Sequence, residues 1–486
     1  MEPITRRRAL QLGGLGIACT AAGAIGLGWG PGSQFDPVAS SELTEPPVLR
    51  SAGSALEVVL ECALGPVTVA GRQASTLSYN GSLPGPTIHL QPGDRLRVQL
   101  VNRLDAPTNL HVHGLHVSPQ GRADDVFVMV EPGGSHDYEY EIPSDHPPGV
   151  YWYHPHHHGN VADQLFGGMY GAIIVGDVPS AAEPAIPVTS ERVMVISDIS
   201  LDGAGAVVGP SQQDRMVGRE GQLVLVNGQL RPLLTARPGE RQRWRVVNAC
   251  AARYLRLRLD GQQLQLVGMD SGHYPRPLEV TEVSLAPGNR ADLLVTTTSG
   301  TSELQALPVD RGRMMGMGGS PSEDTAQVLA QLTVSGAGAT SLPPVPSRAA
   351  SRDLRAVEVA TRRTLVFANG MGAGMGMGGM RFTIDGREFD PNRVDQRVRL
   401  GTVEEWTITS TSEMDHPMHL HVWPMQVIQQ QGQPVELPTW RDVVNIPARG
   451  SVTVRVAFDD FAGRTVYHCH ILDHEDLGMM GVIEVR

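Results

Sequence analysis

A chain of 486 residues is too long for one hydrophobic core and implies several domains. Hydrophobic residues make up 41%, enough for sizeable cores, while 55 Gly and 36 Pro favour an all-β chain rich in turns. The formal net charge of −12 argues against nucleic-acid binding, and four cysteines (Cys19, Cys62, Cys250 and Cys469) are too few for a disulfide scaffold.

The chain opens with Thr5-Arg6-Arg7-Arg8-Ala9-Leu10 and then carries no charge until Asp36, the pattern of a twin-arginine export signal. An uncharged run of this length could instead anchor the chain in a membrane, but Gly and Ala dominate it. Residues 1–49 are therefore set aside as signal and extension. The expected destination, reached through the twin-arginine machinery, is the periplasm, the cell envelope or the extracellular side.

Three related units follow. Each begins near a Gly turn: Asn80-Gly81, Asn227-Gly228 and Asp385-Gly386. Each then has a run of alternating polar and apolar residues, the period of a half-buried strand. The runs begin at Pro92-Gly93-Asp94-Arg95, at Pro238-Gly239-Glu240-Arg241 and at Val398-Arg399-Leu400-Gly401. The spacing predicts domains at 50–178, 190–336 and 357–486. Pro179 to Pro187 is a connector and 337–356 a Pro/Ser/Ala-rich linker. Two Gly/Met segments, Arg313 to Gly319 and Gly370 to Met380, lack either period and are expected to be loops.

Of 17 His, ten fall in four clusters: His111-Val112-His113, His154-Pro155-His156, His416-Pro417-Met418-His419-Leu420-His421, and His468-Cys469-His470 with His474. Residues i and i+2 of a strand share a face, so each His-x-His pair offers two imidazoles to one place. Three such pairs plus His419 and His421 make eight imidazoles, a count that suits three copper ions. Cys469 faces away from its flanking histidines and can serve a separate ion. His416, Cys469 and His474 with Met479 match a blue-copper electron-transfer site. One His-x-His alone is usually structural, and a lone Cys/His group could hold zinc. Four clusters divided between the first and last units point to copper.

These residues resemble the four copper-binding motifs of three-domain multicopper oxidases, with bacterial laccases and cuprous oxidases the nearest members. The likeness runs from Tyr79-Asn80-Gly81-Ser82-Leu83-Pro84-Gly85-Pro86 to Gly478-Met479-Met480-Gly481. It implies three cupredoxin-like Greek-key β-barrel domains and four copper ions. Type 1 copper would take His416, Cys469, His474 and axial Met479. Type 2 would take His111 and His419. The type 3 pair would take His113, His154, His156, His421, His468 and His470. The middle unit carries no cluster and reads as a spacer. Glu475 resembles the family's proton-relay carboxylate and Asp124 its second acid, although Asp125 competes for that alignment. The implied activity is one-electron oxidation of a donor coupled to four-electron reduction of O2 to water. Met479 as axial ligand implies a low-to-medium potential.

The donor is less fixed by the sequence. Phenols and aromatic amines suit a laccase-like enzyme. Met371, Met375, Met377 and Met380 crowd one Gly-rich segment, Met314, Met315 and Met317 crowd another, and Met414 lies two residues before His416. Thioethers are soft ligands for Cu(I), so a dedicated cuprous oxidase is the alternative, against Met as mere filler of Gly loops. A copper store or carrier would not need Cys469 between two His, and a copper nitrite reductase lacks the eight-His cluster. Of His89, His116, His136, His146, His157, His158 and His273, none is expected to be a ligand.

Overall fold

The computed structural model describes residues 35–39, 42–176, 184–312, 325–371 and 380–486. The export-signal pattern, Cys19, Met314, Met315, Met317, Met375 and Met377 lie outside them. Among the described residues, no helix is long and apolar enough to cross a membrane.

Strands dominate and form six sheets in three face-to-face pairs. The first pair has five and four strands and lies between Val48 and Val175; the second, of six and five, lies between Ser190 and Val334; the third, of six and five, lies between Thr361 and Val485. Each pair encloses its own apolar core.

The repeated turns have one physical role. Asn80-Gly81, Asn227-Gly228 and Asp385-Gly386 all have positive φ at both positions, as a two-residue type I′ hairpin turn requires. In each the first side chain also stitches the turn to the unit's first long strand. Asn80 Oδ1 accepts from the Glu61 N–H (2.7 Å), Asn227 Oδ1 from Val195 (2.8 Å) and Asp385 Oδ1 from Val366 (2.8 Å). That long strand then pairs in parallel with the strand after the second Gly turn. The pairs are Ala55–Val69 with Arg95–Asn102, Ser190–Ile199 with Arg241–Asn248, and Thr361–Met371 with Thr402–Ser410.

Two sequence expectations change. Arg95–Asn102 alternates between exposed and buried, as a half-buried strand should, but Arg241–Asn248 is buried almost throughout. Its outer face lies against the first unit, and two of its buried arginines pair with acids of their own unit: Arg243 forks Asp292 (2.9 and 2.5 Å) and Arg245 meets Glu191 (3.2 Å). The second change concerns the segment Gly370 to Met380. The strand Thr361–Met371 runs into it, and Met380–Ile384 pairs back in a hairpin, so the ladder extends further than composition suggested.

A fourth apolar cluster welds the units together. Val67, Trp152, Val161 and Phe166 of the first unit pack with Val193, Leu225 and Val247 of the second and with Leu472 of the third. Three short helices meet around it: α1 (Val161–Phe166), α2 (Gln212–Val217) and α3 (Leu472–Asp476). The amide groups at the start of α1 are capped from another unit, since Asp476 accepts from Gly159 (2.7 Å) and Ala162 (2.9 Å).

Candidate metal centre

The strand Gly463–Cys469 pairs with His416–Leu420, with His468 opposite His419 and Cys469 opposite Met418. The pleat therefore sends His419 and His468 to one side and Cys469 to the other. Two buried sites result, back to back along one strand.

On the Cys469 side, His416 Nδ1 lies 3.5 Å and His474 Nδ1 3.8 Å from the sulfur. All three residues are fully buried. His474 comes from α3, which also brings Met479 into the same core as Cys469 through a Met479 N–H bond to the His474 carbonyl (2.9 Å). The His474 Nε2–H donates to the Met216 carbonyl at 3.1 Å, leaving Nδ1 with its lone pair toward the sulfur. Phe382 stacks on the His474 ring at 4.1 Å. Burial raises the Cys469 thiol and holds His416 down near 3, so the ligand set is neutral until a cation displaces the thiol proton.

On the other side, eight imidazoles converge between the first and third units. His111 Nε2 and His419 Nε2 are 3.3 Å apart, and His113 Nδ1 and His154 Nε2 3.4 Å. His468 Nε2 lies 3.1 Å from both His156 Nε2 and His421 Nε2. The His470 ring sits 5.0 Å from His113 and 5.7 Å from His154, and neither of its nitrogens has a protein partner. Burial lowers the pKa of every one of the eight, to about 4 for His156 and His468.

Carbonyls and carboxylates occupy the far nitrogens of five of the eight. The Nδ1–H groups of His154, His419 and His468 donate to the carbonyls of Pro155 (2.8 Å), Asp442 (2.8 Å) and Cys469 (3.0 Å). His111 Nδ1–H donates to Asp124 at 2.9 Å, and His113 is turned the other way, with Nε2–H on Asp442 at 3.0 Å. The inward nitrogens of these five are thus fixed as lone-pair donors, and neighbouring inward nitrogens of the set lie 3.1–3.4 Å apart. Leaving them unpartnered in a dry interior costs roughly 1–3 kcal/mol per group. Metal cations resolve that cost, and an N-rich set beside an N₂S set suits copper.

Of the two neighbouring acids, Asp124 faces the histidines. It also accepts from the Val112 N–H (3.1 Å), and burial pushes it up to about 8. Asp125 turns away to the Phe127 N–H (3.0 Å). Glu475 is fully buried, 2.9 Å from His468 Nδ1 and 3.4 Å from His156 Nε2, yet neither of its oxygens receives a hydrogen bond. Burial raises it to about 7 against the pull of His156.

Sequence reasoning missed several residues. Asp442, an acid just before the strand Val443–Ile446, holds His113 and His419 together. Arg290 of the middle unit forks it, with Nη2 at 2.7 Å from Oδ2 and Nη1 on Oδ1, and Ser271 Oγ–H donates to it at 2.8 Å. A cavity of about 370 Å³ opens beyond Ser271 and Gly114, lined also by His116, His146 and Asp460. The middle unit is therefore no spacer, because its strands supply the arginine that sets the acid behind the histidines. Met414 is only 2% exposed and packs in the third core, so its thioether does not face solvent. Met380 is half-buried against the same core, and nothing is described of the Met371 side chain. Cys62 and Cys250 are free, buried thiols. Neither His157 nor His158 joins a metal grouping among the described residues.

Three family models, each described as multicopper oxidase, match residues 61–180, 197–304 and 363–486. A multicopper oxidase of Staphylococcus haemolyticus is 29% identical over 420 residues, covering 85% of this chain and 84% of its own length. A laccase of Bacillus subtilis is 26% identical over 481 residues, covering 84% and 89%. The solved structure of a Campylobacter jejuni multicopper oxidase, described as a metallo-oxidase, superposes with a TM-score of 0.80 at 30% identity, covering 93% of this chain and 96% of that one.

Proposed function

Because this chain belongs to the multicopper oxidase family, an all-β fold of cupredoxin-like domains, we propose that its four histidine clusters hold one type 1, one type 2 and two type 3 copper ions. It is a laccase-like oxidoreductase. His416, Cys469, His474 and Met479 would hold the type 1 ion, and His111 with His419 the type 2 ion. One type 3 ion would lie among His113, His154 and His470, the other among His156, His421 and His468. The separations given above support this division. Bound copper supplies one-electron acceptance from the donor at one site and four-electron reduction of O2 to water at the other.

The protein's own part is to orient, exclude water and hold protons. The observation that carries the proposal is the back-to-back arrangement on one strand: Cys469 faces one site and its neighbours His468 and His470 the other, so the covalent path between the sites crosses a single peptide unit. Asp124 on His111 and Glu475 beside His156 and His468 are placed to hold protons for the nascent water. A small apolar cavity of about 230 Å³, lined by Val126, Phe127, Phe389, Val466 and Met480, reaches His156 and suits an uncharged diatomic.

For the donor, Cu(I) stands beside phenols and aromatic amines. Gly312, which leads into the segment with Met314, Met315 and Met317, bridges to Met414 two residues before His416. Phe382, two residues after Met380, stacks on His474. One Gly/Met segment therefore starts, and the other ends, beside the type 1 ligands. The description of the Campylobacter jejuni neighbour as a metallo-oxidase supports the same reading. Met414, enclosed in the core, is left out of this donor site.

Copper-loaded protein should turn blue and consume O2 with Cu(I) and with a simple phenol. Metal bound without O2 uptake from any donor would return the protein to the copper-store reading. Replacing Met371, Met375, Met377 and Met380 together by Leu should abolish Cu(I) oxidation and spare phenol oxidation; equal retention of both would remove the methionines from the mechanism. Export through the twin-arginine machinery belongs to the same proposal and rests on the Arg6-Arg7-Arg8 pattern.

A further inference from the structure

The middle unit places a buried cation, Arg311, beside the type 1 ligands. Its carbonyl accepts the Asp415 N–H at 2.7 Å, so its backbone is anchored to the residue before His416, and Gly312 bridges to Met414. The guanidinium approaches the other ligands through a gap that only glycine leaves. At the point where a Cβ on Gly218 (φ +83°) would lie, Ile471 Cγ2 is 2.5 Å, Ala252 Cβ 2.6 Å and Arg311 Nη1 3.6 Å away. Ile471 in turn donates its N–H to Cys469 Sγ at 3.4 Å. Nη1 thus sits against the residue that bonds the thiol, and among the described residues it has no hydrogen-bond partner.

A buried guanidinium needs a counter-charge. Nη2 finds it in Glu220, whose side chain is as deeply buried, at 3.4 Å. Glu220 also meets Arg253 Nη1 at 3.2 Å, and Arg253 Nε holds Asp198 at 2.8 Å. Two cations and two acids therefore balance overall, but not locally. Glu220 is shared between two arginines and lies on the Nη2 side, so the pair turns its positive end, Nη1, toward the copper ligands. Glu220 is fixed there by its neighbour Arg219, which forks Asp473 through Nε (3.1 Å) and Nη2 (2.6 Å), takes it again with its backbone N–H (2.9 Å), and reaches Asp163 of α1 at 2.5 Å. The ligands' acidities agree with this orientation. Burial lowers His416, and Arg311 lowers it further; at His474 burial comes first, then His416, then Arg311. Burial raises the Cys469 thiol, while the Ile471 N–H and Arg311 oppose it.

We propose that Arg311 raises the reduction potential of the type 1 copper through its charge, and that Glu220 limits the rise. The proposal rests on the type 1 assignment given above and deepens it. Reduction lowers the charge of the site by one, so a fixed positive charge nearby favours the reduced form. A unit charge about 10 Å from a one-electron centre, at an effective dielectric of about 20, biases that couple on the order of tenfold. Arg311 touches neither donor nor O2. It works against the axial Met479 thioether, which holds the potential down, and so places part of the tuning in a unit that supplies no ligand.

The test is a redox titration of copper-loaded protein read by its blue band. Glu220→Gln leaves Arg311 uncompensated and should shift the copper toward Cu(I). Arg311→Met leaves Glu220 uncompensated and should shift it toward Cu(II). Each shift should be on the order of tenfold in the Cu(I)/Cu(II) ratio at fixed ambient potential, or about 59 mV for one electron. Arg311→Lys, which keeps the charge, should recover most of the loss seen in Arg311→Met. A merely structural pair would not give opposite signs from its two ends. Shifts of the same sign, or none in either variant with the blue band intact, would overturn the proposal. If Arg311→Met fails to fold, the other two variants decide: a raised Glu220→Gln with a parent-like Arg311→Lys supports it, and an unmoved Glu220→Gln overturns it. A parent protein that binds copper without any blue band would strike the type 1 assignment itself, and this proposal with it.

Discussion

Arg290→Met should be among the most damaging single changes outside the ligands. The guanidinium is fully buried and touches all three units: Nε–H donates to the Val150 carbonyl (3.1 Å), Nη1 reaches Asp270 (3.3 Å), and both Nη groups fork Asp442. Burial alone would lower its pKa, but Asp442 and Asp270 outweigh that and raise it. Methionine fills most of the volume and removes the charge, leaving two buried carboxylates without their cation. Burial and Asp442 already push Asp270 up to about 6 with Arg290 present, so the pair cannot stay doubly ionised without it. Removing one partner of a buried pair costs about 3–5 kcal/mol, and two stranded acids place this site at the upper end. That is a third or more of an ordinary domain's stability of roughly 5–15 kcal/mol. The loss should appear in denaturant unfolding of copper-free protein. The double variant Arg290→Met with Asp442→Asn should recover a large part of it, because the second change neutralises one orphaned charge. Copper binding should weaken by about 10–100-fold in the single variant, read by chelator competition, since Asp442 would no longer hold the His113 and His419 rings in place. A single variant within about 0.5 kcal/mol of the parent, as for a surface arginine, would refute the reasoning. So would a double variant no better than the single.

Met479→Leu should raise the type 1 potential, because the axial thioether is lost; a redox titration without a rise would count against Met479 as ligand. Glu475→Gln should lower O2 turnover by about 10²-fold or more while anaerobic bleaching of the blue band by the donor keeps its rate, since only the reduction of O2 needs the proton. Equal loss in both would make Glu475 a structural residue. The His116–Asp460 pair (2.5 Å) joins the first and third units at the cavity near Asp442. Burial lowers His116, but its bond to Asp460 outweighs this and leaves it raised; Asp460 is lowered by the same bond against its own burial. The pair's contribution is therefore fully present below the ordinary His pKa of about 6.5, fades as pH rises through the raised His116 value, and in acid fades as pH falls through the lowered Asp460 value. Asp460 is 47% exposed, so Asp460→Asn should cost about 1 kcal/mol or less near pH 6 and nothing in alkaline solution. A cost that grows with pH would reverse the assignment.

The sequence was informative where chemistry is carried by contiguous residues. His111-Val112-His113 and His468-Cys469-His470 are ligand pairs because a strand's period of two is a local property. The turns at Asn80, Asn227 and Asp385 were legible for the same reason, since positive φ and a side-chain carbonyl or carboxylate belong to one residue. What the sequence concealed lies in pairs far apart along the chain. Arg290 and Asp442 are separated by 152 residues, Arg219 and Asp473 by 254, and His474 and Met216 by 258. Nothing in Asn289-Arg290-Ala291-Asp292 distinguishes an arginine that will be sealed in from one that will face water. Asp442 left a faint signal, an acid between Arg441 and the apolar pair Val443-Val444, at the edge of a buried strand where a charge is tolerated only if something pairs with it.

The same contrast explains why the middle unit looked idle. Its contribution is not to donate ligands but to fix two bodies that do. The eight-histidine set is divided between the first and third units, so any slip at their junction would pull His111 from His419 and His156 from His468, now 3.3 and 3.1 Å apart. Apolar packing alone would hold that junction firmly but without a unique register, because hydrophobic contact is non-directional. Arg290 at one site and Arg219 at the other supply the direction. Each forks one acid of the third unit and reaches a group of the first, and each acid sits directly beside a ligand, Asp442 on His113 and Asp473 before His474. A guanidinium's planar geometry accepts few alternatives once buried. The middle unit therefore sets how the first and third units meet across the histidine set, and lengthening or removing it should abolish metal binding there even though every ligand remains in the chain.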